Sequence, residues 1–160
     1  MAVNRVINVV KRHWQSAAYV RIAVFGSLTT GLVLPSSDID LVVVGITPTR
    51  ANMHKFAHIL RQHGVALSHP AVIAHARVPI LKYVDKLTGV AVDISFNQTS
   101  GLHTSIIVNK LMDEYKQLRP LVTVLKYFLY LRDLHEPVSG GLGGYALVLM
   151  TTSFLQVSAH

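Results

Sequence analysis

The sequence predicts an α/β protein in which a small domain built on a mixed sheet is followed by part of an all-helical domain. Apolar runs rich in β-branched and aromatic residues recur up to residue 97, each bounded by glycine or polar residues, as strands are. Beyond Gly101 the apolar residues recur at helical spacing instead. A chain of 160 residues, 51% of them hydrophobic, suffices for one substantial core, or for one domain and part of another.

The elements predicted before Gly101 include both helices and strands. They are a helix over 3–16, a strand over 19–26, a loop over 26–37, a strand over 38–45, a helix over 49–64, and a hairpin of strands 71–86 and 90–97. The limits of the second helix are the clearest, because Thr49 is a good N-cap and Gly64 is a good stop signal.

Three helices are predicted in the remainder of the chain, over 102–116, over 120–133 and from 142 to the end. The change of period near residue 100 sets the predicted domain boundary. We therefore expect an α/β domain at 1–100, whose leading helix lies within 1–18, and a partial helical domain at 101–160.

The chain is basic and contains no cysteine. Fifteen Lys and Arg residues against eight Asp and Glu residues give a formal net charge of +7. Such a surface favours polyanionic partners, nucleic acid first and anionic membranes second, although an ordinary soluble basic protein fits as well. The absence of cysteine excludes a disulfide framework and a cysteine-based zinc site. The N-terminal "MAVNRVINVVKRHWQ" is no secretory signal, because basic residues interrupt any apolar core.

The last segment is unusually apolar. Residues 137–160 contain no Lys, Arg, Asp or Glu, and "LGGYALVLMTTSFLQVSA" approaches the length of a membrane span. Its glycines, hydroxyl residues and glutamine favour a buried helix over a span. We expect covering helices to be missing from it, so that the 160-residue chain alone aggregates readily and is weakly active. A monodisperse, cooperatively melting monomer would refute this expectation.

Two of the eight acidic residues stand one residue apart at the head of an apolar run, "DIDLVVVG". Residues i and i+2 of a strand share a face, so Asp38 and Asp40 are expected to project together. Carboxylates this close repel each other unless a cation lies between them, and hard divalent cations prefer oxygen ligands. Asp93, inside "VAVDISF", joins them if its strand pairs with 38–45. The alternatives are that Asp38 caps a loop and that Asp93 bonds to backbone amides.

Gly26 and Ser27 end the first predicted strand at a turn. Such a turn points backbone N–H groups and a small hydroxyl over the sheet edge, a common way to hold phosphate. The Gly-Ser pair is followed by residues 28–37, by Asp-Ile-Asp-Leu, and by a third aspartate on a later strand. This order predicts a site for metal and phosphate.

The stretch "VFGSLTTGLVLPSSDIDLVVVG" resembles the signature of the DNA polymerase β-like nucleotidyltransferase superfamily: hydrophobic-Gly-Ser, a gap, then Asp-hydrophobic-Asp-hydrophobic. Three later blocks are similar to the template-independent poly(A) RNA polymerases of nuclear RNA surveillance, the TRAMP type: "VPILKYVDKLTGVAVDISFNQTSGLHTS", "LVTVLKYFLYLRDL" and "SGGLGGYALVLM". The resemblance runs over residues 6–158 and implies a polymerase β-like palm domain followed by part of a helical central domain. In that family the central domain continues further and contains a loop that helps to choose adenine over uracil.

The resemblance implies transfer of AMP from ATP to an RNA 3′-hydroxyl, with release of pyrophosphate. Asp38 and Asp40 would hold two Mg²⁺ ions, with Mn²⁺ as a possible substitute. Asp93 would complete the ion on the hydroxyl side and is a candidate to accept the proton. Gly26 and Ser27 would contact the triphosphate.

Residues of the helical part are implied in nucleotide binding. Lys126, in an otherwise apolar helix, would bind the triphosphate, with a surface lysine as the alternative. Tyr145 would stack on the base, with an ordinary core aromatic as the alternative. Thr104 and Ser105 would contact the ribose, although relatives often carry an Asn-Thr pair there. Gly144 departs from the family pattern, because many relatives carry a serine before the aromatic residue.

Three functions stay open from the sequence. The first is an RNA 3′-terminal nucleotidyltransferase that adds AMP, the second a terminal uridylyltransferase, and the third an inactive nucleotidyltransferase-fold module that binds RNA or acts as a scaffold. The resemblance further implies an RNA 3′ end as substrate, a zinc-knuckle RNA-binding protein and an RNA helicase as partners, and a nuclear location, with the cytoplasm as alternative. No membrane partner is expected.

Overall fold

A mixed sheet of five strands organises the first part of the protein. The structure is a computed structural model that describes residues 2–14 and 19–158. The strands are β1, Arg21–Phe25; β2, Ile39–Val44; β3, Ala71–Ile73; β4, Ile80–Val84; and β5, Ala91–Phe96. Their order across the sheet is β1-β2-β5-β4-β3, with β2 and β5 parallel and the other neighbours antiparallel. The predicted mixed sheet is confirmed.

Helices make up most of the remaining described residues. The α-helices are α1, Ala2–His13; α2, Ser27–Thr30; α3, Arg50–Gln62; α4, Ser100–Glu114; α5, Leu118–Leu131; and α6, Gly144–Ser158, and a short 3-10 helix covers Pro137–Ser139. The α/β class predicted from the sequence is confirmed.

The described chain separates into two compact units. Unit 1 comprises the described residues up to Phe25 and Ser37–Leu102, and unit 2 comprises Gly26–Ser36 and the described residues from His103 onward. The predicted α/β domain at 1–100 includes the loop 26–37. In the structure, residues Gly26–Ser36 of this loop belong to unit 2, together with the helices. The assignment of domains at 1–100 and 101–160 stays a prediction.

The core of unit 1 forms where helices α1 and α3 pack with one face of the sheet. Leu41 of β2 and Ile94 of β5 are fully buried in it, together with Phe56 and Leu60 of α3. Burial of a side chain of this size contributes about 1.5–3 kcal/mol. Because strand side chains alternate between faces, the neighbours of Leu41 and Ile94 along each strand point away from this core.

Helix α3 has the limits that its sequence predicts. The Thr49 hydroxyl accepts a hydrogen bond from the Asn52 N–H at 3.2 Å, which caps the first turn. At the other end, Gly64 adopts a φ of 64°, a left-handed conformation that glycine tolerates and that ends the helix.

Other boundaries differ from the prediction. The predicted strand 71–86 is two strands, β3 and β4, separated by residues 74–79, because Pro79 interrupts the run and cannot donate to a ladder. The strand predicted over 38–45 begins at Ile39, so Asp38 precedes it. The predicted loop contains the short helix α2. Helix α1 ends at His13, and residues 15 and 16 of the predicted helix lie outside the described residues.

Unit 2 has a separate apolar core. Its buried members come from α4, α5, α6 and the Gly26–Ser36 segment: Leu32, Val108, Met112, Leu118, Val122, Leu147 and Val148. Both α5 and α6 also carry apolar side chains at the surface, among them Val124, Phe128, Leu131, Phe154 and Val157. None of the helices in the described part of the chain is long and apolar enough to cross a membrane.

Candidate active site

Two carboxylates lie side by side on neighbouring strands of unit 1. In the parallel β2–β5 pair, Asp40 stands directly opposite Asp93. Residues in direct register share a sheet face, and this face is opposite the one on which Leu41 and Ile94 enter the core. From the sequence, Asp93 is expected to lie beside the other aspartates only if its strand pairs with 38–45. The pairing of β2 with β5 confirms that condition.

Asp38 stands apart from this pair in one respect. It precedes the first residue of β2 and is half-buried, so the alternation of strand side chains does not fix its direction. Across residues 2–14 and 19–158, no three His, Cys, Asp or Glu side chains form a group that could hold a metal ion. The site of three carboxylates therefore stays a prediction, and the register supplies two of its members, Asp40 and Asp93.

A lysine completes the row of charges on this face. Lys82 of β4 stands directly opposite Asp93 in the antiparallel β4–β5 pair, and its Nζ lies 2.5 Å from Asp93 Oδ2. Lys82 is a member of the site that the sequence motifs do not single out. A signal existed, because Leu81 and Tyr83 are apolar neighbours and the hairpin turn allows the register to be counted back to Asp93.

The donors present fit a hard divalent cation. Asp40 and Asp93 offer carboxylate oxygens from adjacent strands, and Mg²⁺ commonly uses one or two carboxylates together with water and substrate phosphates. A cationic group, the Lys82 ammonium, already contacts Asp93. Asp40 and Asp93 are therefore the residues that would hold such an ion.

The Gly-Ser turn belongs to unit 2, where Gly26 has a backbone conformation suited to glycine, with φ of 70° and ψ of −146°. Its N–H donates to the Ser105 hydroxyl at 3.0 Å, and its carbonyl accepts from the Thr29 and Thr30 hydroxyls at 3.0 and 3.2 Å. From the sequence, the Gly26 N–H is predicted to face a phosphate group. In the structure this N–H is used inside the protein, because a serine hydroxyl from α4 reaches it.

Ser105 has a structural contact that the sequence did not predict. Its side chain is buried on α4 and accepts the Gly26 N–H, although the two residues lie far apart in sequence. Its predicted role toward ribose stays a prediction. Its neighbour Thr104 is half-buried on the same helix.

The segment Gly26–Ser36 is held by side chains from α4 and α5. Asn109 donates to the Thr29 carbonyl at 3.2 Å, and Arg119 donates to the Thr30 carbonyl at 2.5 Å. Between them these contacts fix the turn that contains Ser27, which begins α2. These side chains donate to the segment because its backbone carbonyls are not paired within a sheet and need hydrogen-bond donors.

Lys126 reaches the same segment. Its Nζ donates to the Leu32 carbonyl at 2.9 Å. The structure therefore brings Lys126 to the Gly26–Ser36 segment, which also contains Ser27. This hydrogen bond decides neither the predicted role of Lys126 toward a triphosphate nor the alternative of a surface lysine, and both stay predictions.

Tyr145 is the second residue of α6 and is 41% exposed. Its predicted stacking on a base stays a prediction, as does the alternative of an ordinary core aromatic. The glycine before it, Gly144, has open space where a side chain would begin, so packing alone does not require glycine there.

Comparisons with known proteins agree on one family. Residues 1–116 match the family model described as "Poly(A) RNA polymerase, mitochondrial-like, central palm domain". The chain is 45% identical over 159 residues to "Poly(A) RNA polymerase cid14" of Schizosaccharomyces pombe, covering 97% of this chain and 23% of that protein. The chain thus spans about a quarter of the length of this relative.

Two solved structures are similar throughout most of the chain. One is described as "Structure and function of the polymerase core of TRAMP, a RNA surveillance complex", with a TM-score of 0.84 and 35% identity, covering 96% of this chain and 47% of that one. The other is a mutant of the Cid1 poly(U) polymerase bound to MgATP, with a TM-score of 0.78 and 26% identity, covering 93% of this chain and 46% of that one.

Proposed function

Because this chain belongs to the poly(A) RNA polymerase, mitochondrial-like, central palm domain family, we propose that it transfers AMP from ATP to the 3′-hydroxyl of RNA. The observation that carries the proposal is the direct register of Asp40 and Asp93 on β2 and β5. The chain spans 23% of the S. pombe relative, so the activity of that whole protein is assigned to this chain as a proposal.

The proposed reaction is a displacement at the α-phosphorus of ATP. The RNA 3′-oxygen forms a bond to this phosphorus while the bond to the oxygen that bridges the α- and β-phosphates breaks. Pyrophosphate leaves with the electron pair of the broken bond. The proton of the 3′-hydroxyl passes to a carboxylate or to water. No oxidation or reduction takes place.

The residues of unit 1 have separate parts in this proposal. Asp93 and Asp40 hold negative charge on one sheet face, where a cation and the attacking hydroxyl are to be oriented. Asp93 is the candidate to take the hydroxyl proton, and Asp38 is proposed as a third carboxylate. A bound Mg²⁺ supplies charge stabilisation for the phosphates and lowers the pKa of the attacking hydroxyl, and Mn²⁺ is the expected substitute.

The residues of unit 2 are proposed to bind the nucleotide. Ser27 begins α2 in the segment that Lys126 contacts, so a hydroxyl and an ammonium are both present to interact with a triphosphate. Tyr145 is proposed to stack on the base, which its exposed ring permits. Thr104 and Ser105 are proposed to contact the ribose, and Ser105 in addition holds Gly26 in place.

The test is extension of a short RNA by the full chain in the presence of Mg²⁺ and one nucleoside triphosphate at a time. We expect extension with ATP, and we expect Asp93→Ala to reduce it by roughly a hundredfold or more, since a charged group at the reacting centre is lost. Asp113→Ala is the matched control, because Asp113 is an exposed carboxylate on α4. Equal extension by wild type and Asp93→Ala would overturn the proposed site.

A second candidate is transfer of UMP from UTP. The similarity to the Cid1 poly(U) polymerase structure favours it, because that protein is a poly(U) polymerase and its fold matches this chain. The parallel extension assays distinguish the two, since a rate with UTP well above the rate with ATP would replace the first proposal by the second. An inactive RNA-binding module would instead retain RNA and extend it with no nucleotide.

The cellular setting is proposed from relatives. The TRAMP polymerase core is described as part of an RNA surveillance complex, and we propose that this chain acts in RNA surveillance, with an RNA 3′ end as its substrate. A zinc-knuckle RNA-binding protein and an RNA helicase are the proposed partners, and the nucleus is the proposed location, with the cytoplasm as alternative. Purification of the tagged chain from nuclear and cytoplasmic fractions, followed by identification of bound proteins, tests these points.

A further inference from the structure

Three charged side chains form one row across three neighbouring strands. Lys82 of β4 stands directly opposite Asp93 of β5, which in turn stands directly opposite Asp40 of β2. Side chains in direct register lie on the same sheet face, so a lysine flanks the carboxylate pair on one side. The opposite face of β4 carries Leu81 and Tyr83, which are buried in the core.

The contact within this row is tight but not enclosed. Lys82 Nζ lies 2.5 Å from Asp93 Oδ2, which makes the two side chains a hydrogen-bonded ion pair. The Asp93 side chain is 17% exposed and the Lys82 side chain is 48% exposed. A lysine ammonium on a flexible, largely exposed stem can leave such a contact for water without unfolding the strand.

We propose that Lys82 is an internal counter-ion of the metal site, occupying the Asp93 carboxylate until a divalent cation displaces it. The inference rests on the proposed function, because it takes Asp40 and Asp93 to be the residues that bind the cation. Two adjacent carboxylates repel each other, and the Lys82 ammonium relieves this repulsion in the metal-free protein. A divalent cation at the same oxygens is repelled by the ammonium and must displace it. Lys82 is therefore a positioning residue that weakens metal binding while it stabilises the metal-free sheet.

This role gives two effects of opposite sign. Neutralising Lys82 should lower the melting temperature of the metal-free protein, because the repulsion between Asp40 and Asp93 is no longer compensated. The same change should tighten metal binding, because the competing cation is gone. A lysine that only supports the fold would lower stability and leave the metal affinity unchanged or weaker.

The experiment measures binding of Mn²⁺ alone to the full chain, by the loss of the free-ion signal in electron paramagnetic resonance. Lys82→Met is expected to lower the Kd for Mn²⁺ by roughly threefold to fivefold, the range of a partly exposed ion pair. Lys82→Gln is a second neutral variant that keeps a hydrogen-bond donor, in case Lys82→Met does not fold. Lys82→Arg is expected to keep the Kd for Mn²⁺ near the wild-type value, because this substitution keeps the positive charge. Lys86→Met is the matched control, since Lys86 is exposed in the turn between β4 and β5.

Asp93→Ala separates failure of the site from failure of the lysine's role. Loss of Mn²⁺ binding in Asp93→Ala, together with tighter binding in the neutral Lys82 variants, supports the proposal. Loss in Asp93→Ala with an unchanged or higher Kd in folded Lys82 variants overturns the role of Lys82 and leaves the metal site standing. If Asp93→Ala binds Mn²⁺ like the wild type, or if the wild type binds none, the metal site and the proposal both fail.

Discussion

Gly26 is the residue of the Gly-Ser turn whose identity the backbone dictates most strictly. Its φ of 70° lies in the range that side chains disfavour, and its N–H and carbonyl are both engaged by hydroxyl groups. A residue with a Cβ would have to adopt the same conformation to keep the hydrogen bond to Ser105. The Gly-Ser signature therefore has a structural reason that is independent of any phosphate.

Replacing Gly26 by alanine should destabilise unit 2. We expect Gly26→Ala to lower the free energy of unfolding by about 1–3 kcal/mol, the cost of holding a non-glycine residue in a disfavoured conformation. Urea unfolding followed by circular dichroism measures it. Gly144→Ala is the control, because Gly144 begins α6 with open space around it, and it should be neutral or slightly stabilising. Equal losses in the two variants would contradict the account of Gly26.

The sequence predicts some residue roles better than others. Asp40 and Asp93 could be identified, because a carboxylate at the head of a buried strand or inside one is conspicuous, and strand alternation then sets its face. Ser105 could not be paired with Gly26 in this way, because the contact joins residues far apart in sequence and no local pattern marks it. Lys82 was missed, since a lysine at an alternate strand position is ordinarily a solvated side chain.

At the scale of elements, the turn between β4 and β5 is tied to helix α1 by one buried carboxylate. Asp85 is fully buried and accepts hydrogen bonds from Arg5 Nε at 3.1 Å, from the Thr88 N–H at 2.9 Å and from the Thr88 hydroxyl at 2.6 Å. Arg5 makes a second contact to it through Nη2. Burial by itself would raise the pKa of Asp85, but the hydrogen bonds from Thr88 and Arg5 outweigh burial and hold the pKa below its usual value.

Asp85→Asn should weaken the contact between helix α1 and the turn between β4 and β5. We expect the free energy of unfolding to fall by about 3 kcal/mol near neutral pH, because Arg5 loses its partner in a buried pair. Urea unfolding measures the loss, and Asp113→Asn on the exposed face of α4 is the matched control. A loss no greater than that of the control would contradict the role given to Asp85.

The difference in free energy of unfolding between the wild type and Asp85→Asn should depend on pH. A carboxyl whose pKa is lowered in the folded state contributes its full stabilisation above its unfolded pKa of about 3.8. This contribution is lost as the pH falls through the lower, folded pKa. The gap between wild type and Asp85→Asn should therefore be constant from neutral pH down to about pH 5 and shrink below about pH 4.

Local sequence patterns predict the type and order of the elements, but they predict the first and last residues of each element less well. Helix α3 has both its predicted cap and its predicted glycine stop. The division of the predicted strand 71–86 into β3 and β4 was not anticipated, since apolar residues continue on both sides of the turn. The four-residue helix α2 was also missed, because so short a helix leaves no periodic signal.

At the scale of the whole molecule, the family assignment and the paired carboxylates support one reaction class. Residues 1–116 match a palm-domain family, and Asp40 and Asp93 stand in direct register within that region. The sequence motifs predicted this class, because Gly-Ser and Asp-hydrophobic-Asp have a spacing particular to one superfamily. The preference for AMP over UMP rests on the resemblance alone, since the paired carboxylates and the Gly-Ser turn do not distinguish adenine from uracil.

In the proposed reaction, Asp40 and Asp93 together bind the cation that transfer of AMP requires. The most direct test of this role is the single-turnover rate of AMP addition from ATP to a short RNA, for wild type, Asp40→Asn and the control Asp113→Asn. We predict that Asp40→Asn, which keeps the shape of the side chain and removes its charge, is slower by about a hundredfold or more while the control is unchanged. Addition of AMP by Asp40→Asn at the wild-type rate, or no addition by the wild type, would contradict the account.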